Sequence, residues 1–267
     1  MNIEKESLSK ADVHLGNLIQ RWNPKMEPYI ARKKGKLHLF DEQKIVESFA
    51  HVKGQLEKMI EEQNTRVLFV GTTSHLAEII KQAAISCQSP YLVHSWLGGF
   101  LTNFRTIQRS IERLKNLLVF QQSERFATLS KKEQVEQEKE IDKLKKVYEG
   151  VLDLPRTGWF DNFQGEKRPN VLLFIIGLKK EKTALKEAKK LGIPVMAICN
   201  TSEDPDLLDY VIPGNDWKET SVNYLVNAVA EVIRESKLQR DAKLLSEKNE
   251  NTEKAEKWVS SKETNRI

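Results

Sequence analysis

The sequence predicts an α/β fold, in which a parallel β-sheet carries helices on both faces and a coiled-coil helical hairpin protrudes from it. Unbroken apolar runs, typical of strands buried on both faces, alternate with amphipathic helical stretches. Strands that alternate with helices imply right-handed crossovers and hence a parallel sheet. Between two such halves, residues 103–151 have apolar positions at the spacing of a coiled-coil seam.

The elements of the sheet follow one another along the chain in two groups. A helix is predicted over 41–63, with Asp41 as its N-cap. A strand, a helix and a strand follow over 66–71, 74–87 and 90–94. The second group is a strand, a helix, a strand, a short strand and a final helix, over 171–176, 182–191, 194–199, 209–212 and 217–237.

The hairpin between these groups has one apolar stripe on each arm. The stripe residues are Ile107, Ile111, Leu114 and Leu118, then Ile141, Leu144, Tyr148 and Val151. Ser130 and Glu133 form a capping-box pattern at the start of the second arm. Eleven of the sixteen residues in 131–146 are charged, with both signs interleaved, so we expect the hairpin to project into solvent. This charge run is either a solvated face or a specific binding surface.

These patterns divide the chain into a basic N-terminal segment (1–40), a discontinuous sheet domain (41–102 and 152–236), the helical hairpin (103–151) and a charged tail (237–267). The tail holds eight basic and six acidic residues with scattered apolar ones, which predicts a disordered or loosely helical segment. Trp258 within it is either a hook for a partner or a stray aromatic residue.

The net charge and composition of the chain limit the classes of partner that we expect. The 267 residues carry a net charge of +5, which favours a polyanionic partner or an anionic membrane over an acidic protein. No window approaches the roughly 18 apolar residues of a transmembrane helix, so we expect no membrane partner. The first residues lack a signal or transit peptide, so we expect the protein to act where it is made. Cys87 and Cys199 lie in apolar contexts without zinc-site spacing, which predicts buried thiols in a reducing compartment.

The strand ends carry no nucleotide-binding motif. Neither GxGxxG nor GxxxxGK[ST] is present, and the histidines have no metal-ligand spacing. We therefore expect no cofactor, no metal and no small-molecule substrate. A nucleotide-binding α/β enzyme that uses the carboxyl edge of the sheet is the alternative, and its site would consist of Gly71, Thr72, Asp204 and Asp206. Ordinary turns explain the same four residues.

Segment 14–38 has six basic residues against one acidic residue, with aromatic residues among them. Basic groups and rings on an irregular backbone suit RNA, because phosphates attract the charges and exposed bases stack on the rings. The candidate RNA-binding residues are Arg21, Trp22, Lys25, Arg32, Lys33, Lys34 and Lys36, with Arg105 and Arg109 as a second group at the hairpin base. The alternative is a loop packed around Trp22 and Tyr29 with incidental lysines.

Seven motifs in register give the sequence a specific resemblance to the family of bacterial-type small-subunit ribosomal protein two. They are VHLG (13–16), RWNPKMEPYI (21–30), VGT (70–72), WLGGFLTN (96–103), LGIPV (191–195), DPDLLDYVIPGND (204–216) and YLVNAVAEVIRE (224–235). The resemblance implies a flavodoxin-like sheet, a structural role in the small ribosomal subunit and no enzymatic activity. It also implies contacts with small-subunit rRNA and neighbouring ribosomal proteins at the head–body junction.

Several positions depart from the family pattern and put individual rRNA contacts in doubt. A histidine usual in the family is Asn17 here, and usual basic residues are Thr73, Ser74 and Ser95. The link 156–169 is longer than the family's glycine-rich link, so its aromatic residues would either meet a neighbour or pad the hairpin base; they are Trp159, Phe160 and Phe163. These departures, with the missing targeting peptide, favour a plastid ribosome, with the bacterial cytoplasm as the alternative.

The segment 96–103 joins the second strand to the hairpin. We predict that Gly98 and Gly99 provide backbone freedom and a close approach. We further predict that Trp96 anchors the join and that Asn103 or Thr102 caps the outgoing helix.

Overall fold

The N-terminal segment forms a small sheet of its own. The structure is a computed structural model that describes residues 3–152, 154 and 170–264, with side chains described as far as Ser246. It begins with α1 (Lys5–Lys10), β1 (Leu15–Leu18), β2 (Ile30–Lys34) and β3 (Leu37–Phe40). The three strands are antiparallel in the order β1-β3-β2. We predicted an irregular backbone here, and the difference arises because β2, with the sequence IARKK, lacks the apolar alternation that reveals a strand.

The central sheet has five parallel strands, as the apolar runs predicted. They are β4 (Arg66–Val70), β5 (Tyr91–Leu92), β6 (Val171–Ile175), β7 (Val195–Cys199) and β8 (Tyr210–Pro213). Their order is β5-β4-β6-β7-β8, which is the flavodoxin-like order. The predicted α/β fold is thereby confirmed. In such sheets ligands bind at the carboxyl edge near the point where the strand order reverses, here between β4 and β6.

Helices cover both faces of this sheet. The remaining helices are α2 (Glu42–Gln63), α3 (Ala77–Ser86), α4 (Phe104–Gln121), α5 (Glu124–Ala127), α6 (Lys131–Tyr148), α7 (Lys182–Leu191) and α8 (Glu219–Thr264). Because side chains alternate along a strand, each face has its own core. Phe69 and Phe174 meet edge to face at 5.3 Å in the core beneath α2, α3 and α8. Leu68 and Leu173 belong to the second core, with α7 and the hairpin base.

The helical hairpin is built from α4 and α6, whose apolar stripes pack together. Ile111, Leu114 and Ile141 are buried at the seam. The predicted capping box is present, since the Ser130 hydroxyl accepts from the Glu133 backbone N–H while Glu133 accepts from the Ser130 backbone N–H.

The last helix, α8, continues to Thr264 through most of the stretch predicted as a disordered or loosely helical tail over 237–267. Lys237 Nζ donates to the carbonyls of Cys87 and Gln88 at the end of α3, at 2.7 and 3.0 Å. Lys243 pairs with Glu61 near the end of α2. These polar contacts with the ends of α3 and α2 hold α8 against the rest of the protein beyond the point where its apolar stripe ends. The side chain of Trp258 and the link 156–169 lie outside the described residues.

Two further expectations concern the cysteines and the membrane. Cys87 and Cys199 are buried free thiols, as predicted, and burial raises the pKa of both. Among the helices that the structure describes, none is both long and apolar enough to span a bilayer.

Gly150 and Gly54 offer a matched test of how the hairpin base packs. A Cβ on Gly150 would overlap the carbonyl oxygen and ring of Tyr91, whereas a Cβ on Gly54 in α2 would meet no atom within 4 Å. Gly150→Ala should therefore lower the free energy of unfolding by about 1–3 kcal/mol. Gly54→Ala should raise it by about 0.5–1 kcal/mol, because glycine weakens a helix interior. Urea unfolding measures both, and effects of the same sign would contradict this packing.

Candidate nucleic-acid interface

The carboxyl edge of the parallel sheet is closed by the chain's own side chains, beginning after β4. The backbone N–H and the hydroxyl of Thr72 both donate to Glu181 Oε1, at 2.8 and 2.5 Å. Glu181 is buried with 1% of its surface exposed. A Cβ on Gly71 would lie 2.5 Å from Ile80 Cδ1, so glycine here permits close strand–helix packing. The Thr72 amide is therefore already bound and does not offer a phosphate site.

The turn after β5 is closed in the same way by Glu187, a residue of α7 that sequence reasoning missed. Its carboxylate accepts from the backbone N–H groups of Gly99, Leu101 and Thr102 at 2.7, 3.0 and 3.3 Å, and from Trp96 Nε1 at 3.1 Å. Burial opposes ionisation of Glu187, but these hydrogen bonds outweigh it and lower its pKa. The amides of the glycine turn therefore bind an anion, and this anion is the protein's own Glu187 carboxylate.

The predicted roles within this turn need correction at two positions. Gly99 has φ +85°, so it requires glycine, but a Cβ on Gly98 would meet no atom within 4 Å and no close approach occurs there. Asn103 occupies the N-cap position of α4 without a side-chain bond to a helix amide; its oxygen instead accepts from the Thr106 hydroxyl at 3.2 Å. Trp96 lies over Phe100, with ring centroids 5.3 Å apart, and contacts Glu187 as described above.

The turn after β7 contains a third buried carboxyl group, that of Glu203. The backbone N–H of Asn200 donates to Glu203 Oε2 at 2.9 Å, and the Asn200 side-chain amide donates to Asp216 at 2.6 Å. Burial and the neighbouring Asp216 raise the pKa of Glu203 to about 9. Burial also raises the pKa of Asp216. The two carboxyl groups therefore keep at least one proton at neutral pH.

Asp204 and Asp206, the acidic residues of the alternative nucleotide-binding site, also have a partner within the chain. Lys25 Nζ lies 2.9 Å from Asp204 and 2.7 Å from Asp206. Lys25, one of the residues predicted to contact rRNA, ties the N-terminal segment to the sheet domain through these ion pairs. Within the described part of the chain, no cluster of three or more His, Cys, Asp or Glu residues could hold a metal ion.

The N-terminal sheet is docked on this closed edge by backbone hydrogen bonds. Asn23 N–H donates to the Thr201 carbonyl at 2.8 Å, and Asn17 N–H donates to the Thr201 hydroxyl at 2.8 Å. The Asn17 side chain also donates to Ser202 at 3.2 Å, so this departure from the family motif serves the docking. A Cβ on Gly16 would lie 2.6 Å from Thr201, which shows how closely the two parts pack.

The remaining basic residues of the segment lie on the outside of this docked sheet. Arg32, Lys33 and Lys34 follow one another along β2, and all three are exposed. Lys36 in the adjoining turn and Arg21 are exposed too. None of these five side chains forms an ion pair with another described residue. They present positive charge on a backbone fixed by the sheet.

The aromatic and second-group candidates behave differently. The ring of Trp22 is partly buried and packs against the ring of His38, with centroids 5.2 Å apart. The position of Trp22 therefore fits the alternative in which the segment packs around this ring. Arg105 and Arg109 are exposed one turn apart on α4, close to the sheet domain.

The amides at the strand ends of the parallel sheet are bound by the protein's own side chains, and an exposed basic sheet lies on that edge. These are the features of a structural nucleic-acid-binding protein. The model of the family Ribosomal protein S2 matches residues 8–236. Small ribosomal subunit protein uS2 of Idiomarina loihiensis is 36% identical over 236 residues, which cover 88% of this chain and 92% of that protein. The chain belongs to the ribosomal protein S2 family. It is a structural ribosomal protein of the small subunit and not an enzyme, as the motifs predicted.

Glu187→Gln tests the closed glycine turn. The glutamine amide cannot accept where the second carboxylate oxygen did, so the free energy of unfolding should fall by about 1–3 kcal/mol. Because the pKa of Glu187 is lowered from 4.5, this difference should be full above pH 4.5 and disappear as the pH falls through the folded-state value. Denaturant unfolding over this range measures it, with the exposed neighbour Lys186→Gln as control. A difference independent of pH would argue against the ionised carboxylate.

Glu203 predicts a pH dependence of opposite sign. Since its pKa rises from 4.5 to about 9 on folding, the folded state keeps a proton that the unfolded state releases. The free energy of unfolding should therefore fall as the pH rises between these two values. Glu203→Gln imitates the protonated group and should flatten this fall in denaturant titrations, whereas the exposed control Glu219→Gln should not. If Glu203→Gln retained the full slope, the buried proton would lie elsewhere.

Proposed function

We propose that this protein binds small-subunit rRNA through the exposed basic sheet at its N-terminus, and thereby fixes its parallel sheet to the subunit. The residues assigned to rRNA are Arg21, Arg32, Lys33, Lys34 and Lys36. Their common property carries the proposal: they are exposed cations without a described acidic partner, on a backbone hydrogen-bonded to the folded core. Arginine and lysine contacts to phosphate give strong, sequence-independent binding and fix orientation.

Arg105 and Arg109 form a second, smaller contact in this proposal. Their exposure on the first turns of α4 supports a phosphate contact where the hairpin leaves the sheet. The outer part of the hairpin suits neighbouring ribosomal proteins better, because its surface mixes both charges and includes the exposed apolar side chains of Val119 and Val135. These partners fit the head–body junction implied by the family resemblance.

The compartment of the ribosome stays a prediction. Thr73, one of the departures that favour a plastid origin, is buried, while Ser74 and Ser95 are exposed. We retain the plastid as the proposed location and the bacterial cytoplasm as the alternative.

Neutralising the lysines at the tip of the basic sheet tests the proposed function. The triple variant Lys33→Gln, Lys34→Gln and Lys36→Gln should co-sediment less with small subunits. The slope of log binding constant against log salt should decrease by about one for each phosphate that the variant no longer neutralises. The control replaces three exposed lysines on α2 and α7, Lys44→Gln, Lys58→Gln and Lys186→Gln, and should bind like the parent. Equal co-sedimentation of the two triple variants at every salt concentration would refute the assignment.

A further inference from the structure

The ribbon formed by β2 and β3 has an unusual distribution of exposure. His38 and Leu39 of β3 are buried although they point to opposite faces, so β3 is covered on both sides. β2 is an outer strand of the small sheet, and its residues from Ala31 to Lys34 are all exposed. The ribbon therefore has a buried inner strand and an outer strand open to solvent on both faces.

The strand register distributes the cations over these two faces. Lys33 is paired with His38, Arg32 with Leu39 and Lys34 with Leu37. Residues opposite each other in an antiparallel pair share a face, and successive residues alternate. Lys33 therefore lies on the His38 face, where its charge helps to lower the pKa of that histidine. Arg32 and Lys34 lie on the other face.

At the end of the ribbon, Ile19 N–H donates to the Lys36 carbonyl at 2.9 Å, while the side chains of the turn are exposed. Strands β2 and β3 are joined by the two-residue turn Gly35–Lys36, in which Gly35 has φ +59°. A Cβ on Gly35 would meet no atom within 4 Å, and Lys36 beside it is exposed. The exposed outer edge of the ribbon consequently carries cations on both faces and at its end.

We propose that this ribbon enters a groove of double-helical rRNA, with Lys33 facing one phosphate backbone and Arg32 and Lys34 facing the other. The proposal rests on the proposed function and specifies the form of RNA that the site takes. A groove of a duplex is bordered by two phosphate backbones, which match cations on two faces. A ribbon lying along a single strand would engage only one face and leave the other cations in solvent.

The aromatic side chains of the segment support a duplex over a single strand. Proteins that bind unpaired nucleotides stack the bases on exposed rings. Here Trp22 packs on His38, Phe40 is 2% exposed, and Tyr29 is partly buried. The exposed residues 31–36 contain no ring. Proteins recognise duplex RNA through charge and shape at its wide minor groove, because the deep major groove is closed to side chains. The groove that the ribbon enters is therefore the minor groove.

Two single substitutions on adjacent residues separate the faces. The full chain is titrated against a 20-base-pair RNA duplex of arbitrary sequence and against oligouridine of the same length, by fluorescence anisotropy over a salt series. Lys33→Gln and Lys34→Gln should each lower the salt slope on the duplex by about one, and the double variant by about two. The control Lys58→Gln, an exposed lysine on α2, should change nothing. The parent should bind the duplex more tightly than oligouridine.

The outcomes distinguish this inference from the proposed function. If only one of the two single variants lowered the slope, or if oligouridine bound as tightly as the duplex, the ribbon would lie along one backbone and the groove proposal would be wrong. The weaker subunit binding of the triple lysine variant would still stand in that case. If neither single variant nor the triple variant changed RNA or subunit binding, both proposals would fail. Unchanged thermal unfolding of each variant shows that the fold is intact.

Discussion

The structure depends on satisfying the backbone N–H groups at the carboxyl edge of its parallel sheet. Turns after parallel strands leave amides without a partner in the sheet, and an unbonded buried amide is costly. This chain binds them with the carboxyl groups of its own glutamates: Glu181 at the turn after β4, Glu187 after β5 and Glu203 after β7. In nucleotide-binding proteins that have this architecture, phosphate groups bind at such amides.

Closing the edge internally has a consequence for where function can lie. Because the amides already have acceptors, the edge is a surface for packing, and the N-terminal sheet docks there through Thr201 and through the ion pairs of Lys25. The docked sheet in turn holds β2 away from the core and exposes its cations. In the proposed function, binding therefore depends on the N-terminal sheet, which the flavodoxin-like sheet supports. The fold alone would not have indicated this division.

Local features of the fold could be predicted from the sequence, whereas contacts between distant residues could not. The capping box joins Ser130 to Glu133, three positions further along the chain, and an apolar strand is visible as a continuous run of apolar residues. Glu187 lies 88 residues from Gly99, and Asp204 lies 179 residues from Lys25, so no local pattern links either pair. Composition indicates RNA for the basic segment, but it cannot separate Lys25, which is paired with Asp204 and Asp206, from Lys33, which has no described acidic partner.

The pairing of charges explains why a modest net charge of +5 is compatible with a strongly directional positive surface. Many lysines are matched by nearby carboxylates: Lys81 with Glu149, Lys218 with Asp12 and Lys243 with Glu61. A matched pair has little field beyond a Debye length of about 8 Å at physiological salt. The cations of β2 and its turn have no described acidic partner and are adjacent in sequence, so their fields add. In the proposed function, a polyanion that approaches the end of the ribbon therefore meets several unneutralised charges at once, which favours its binding there.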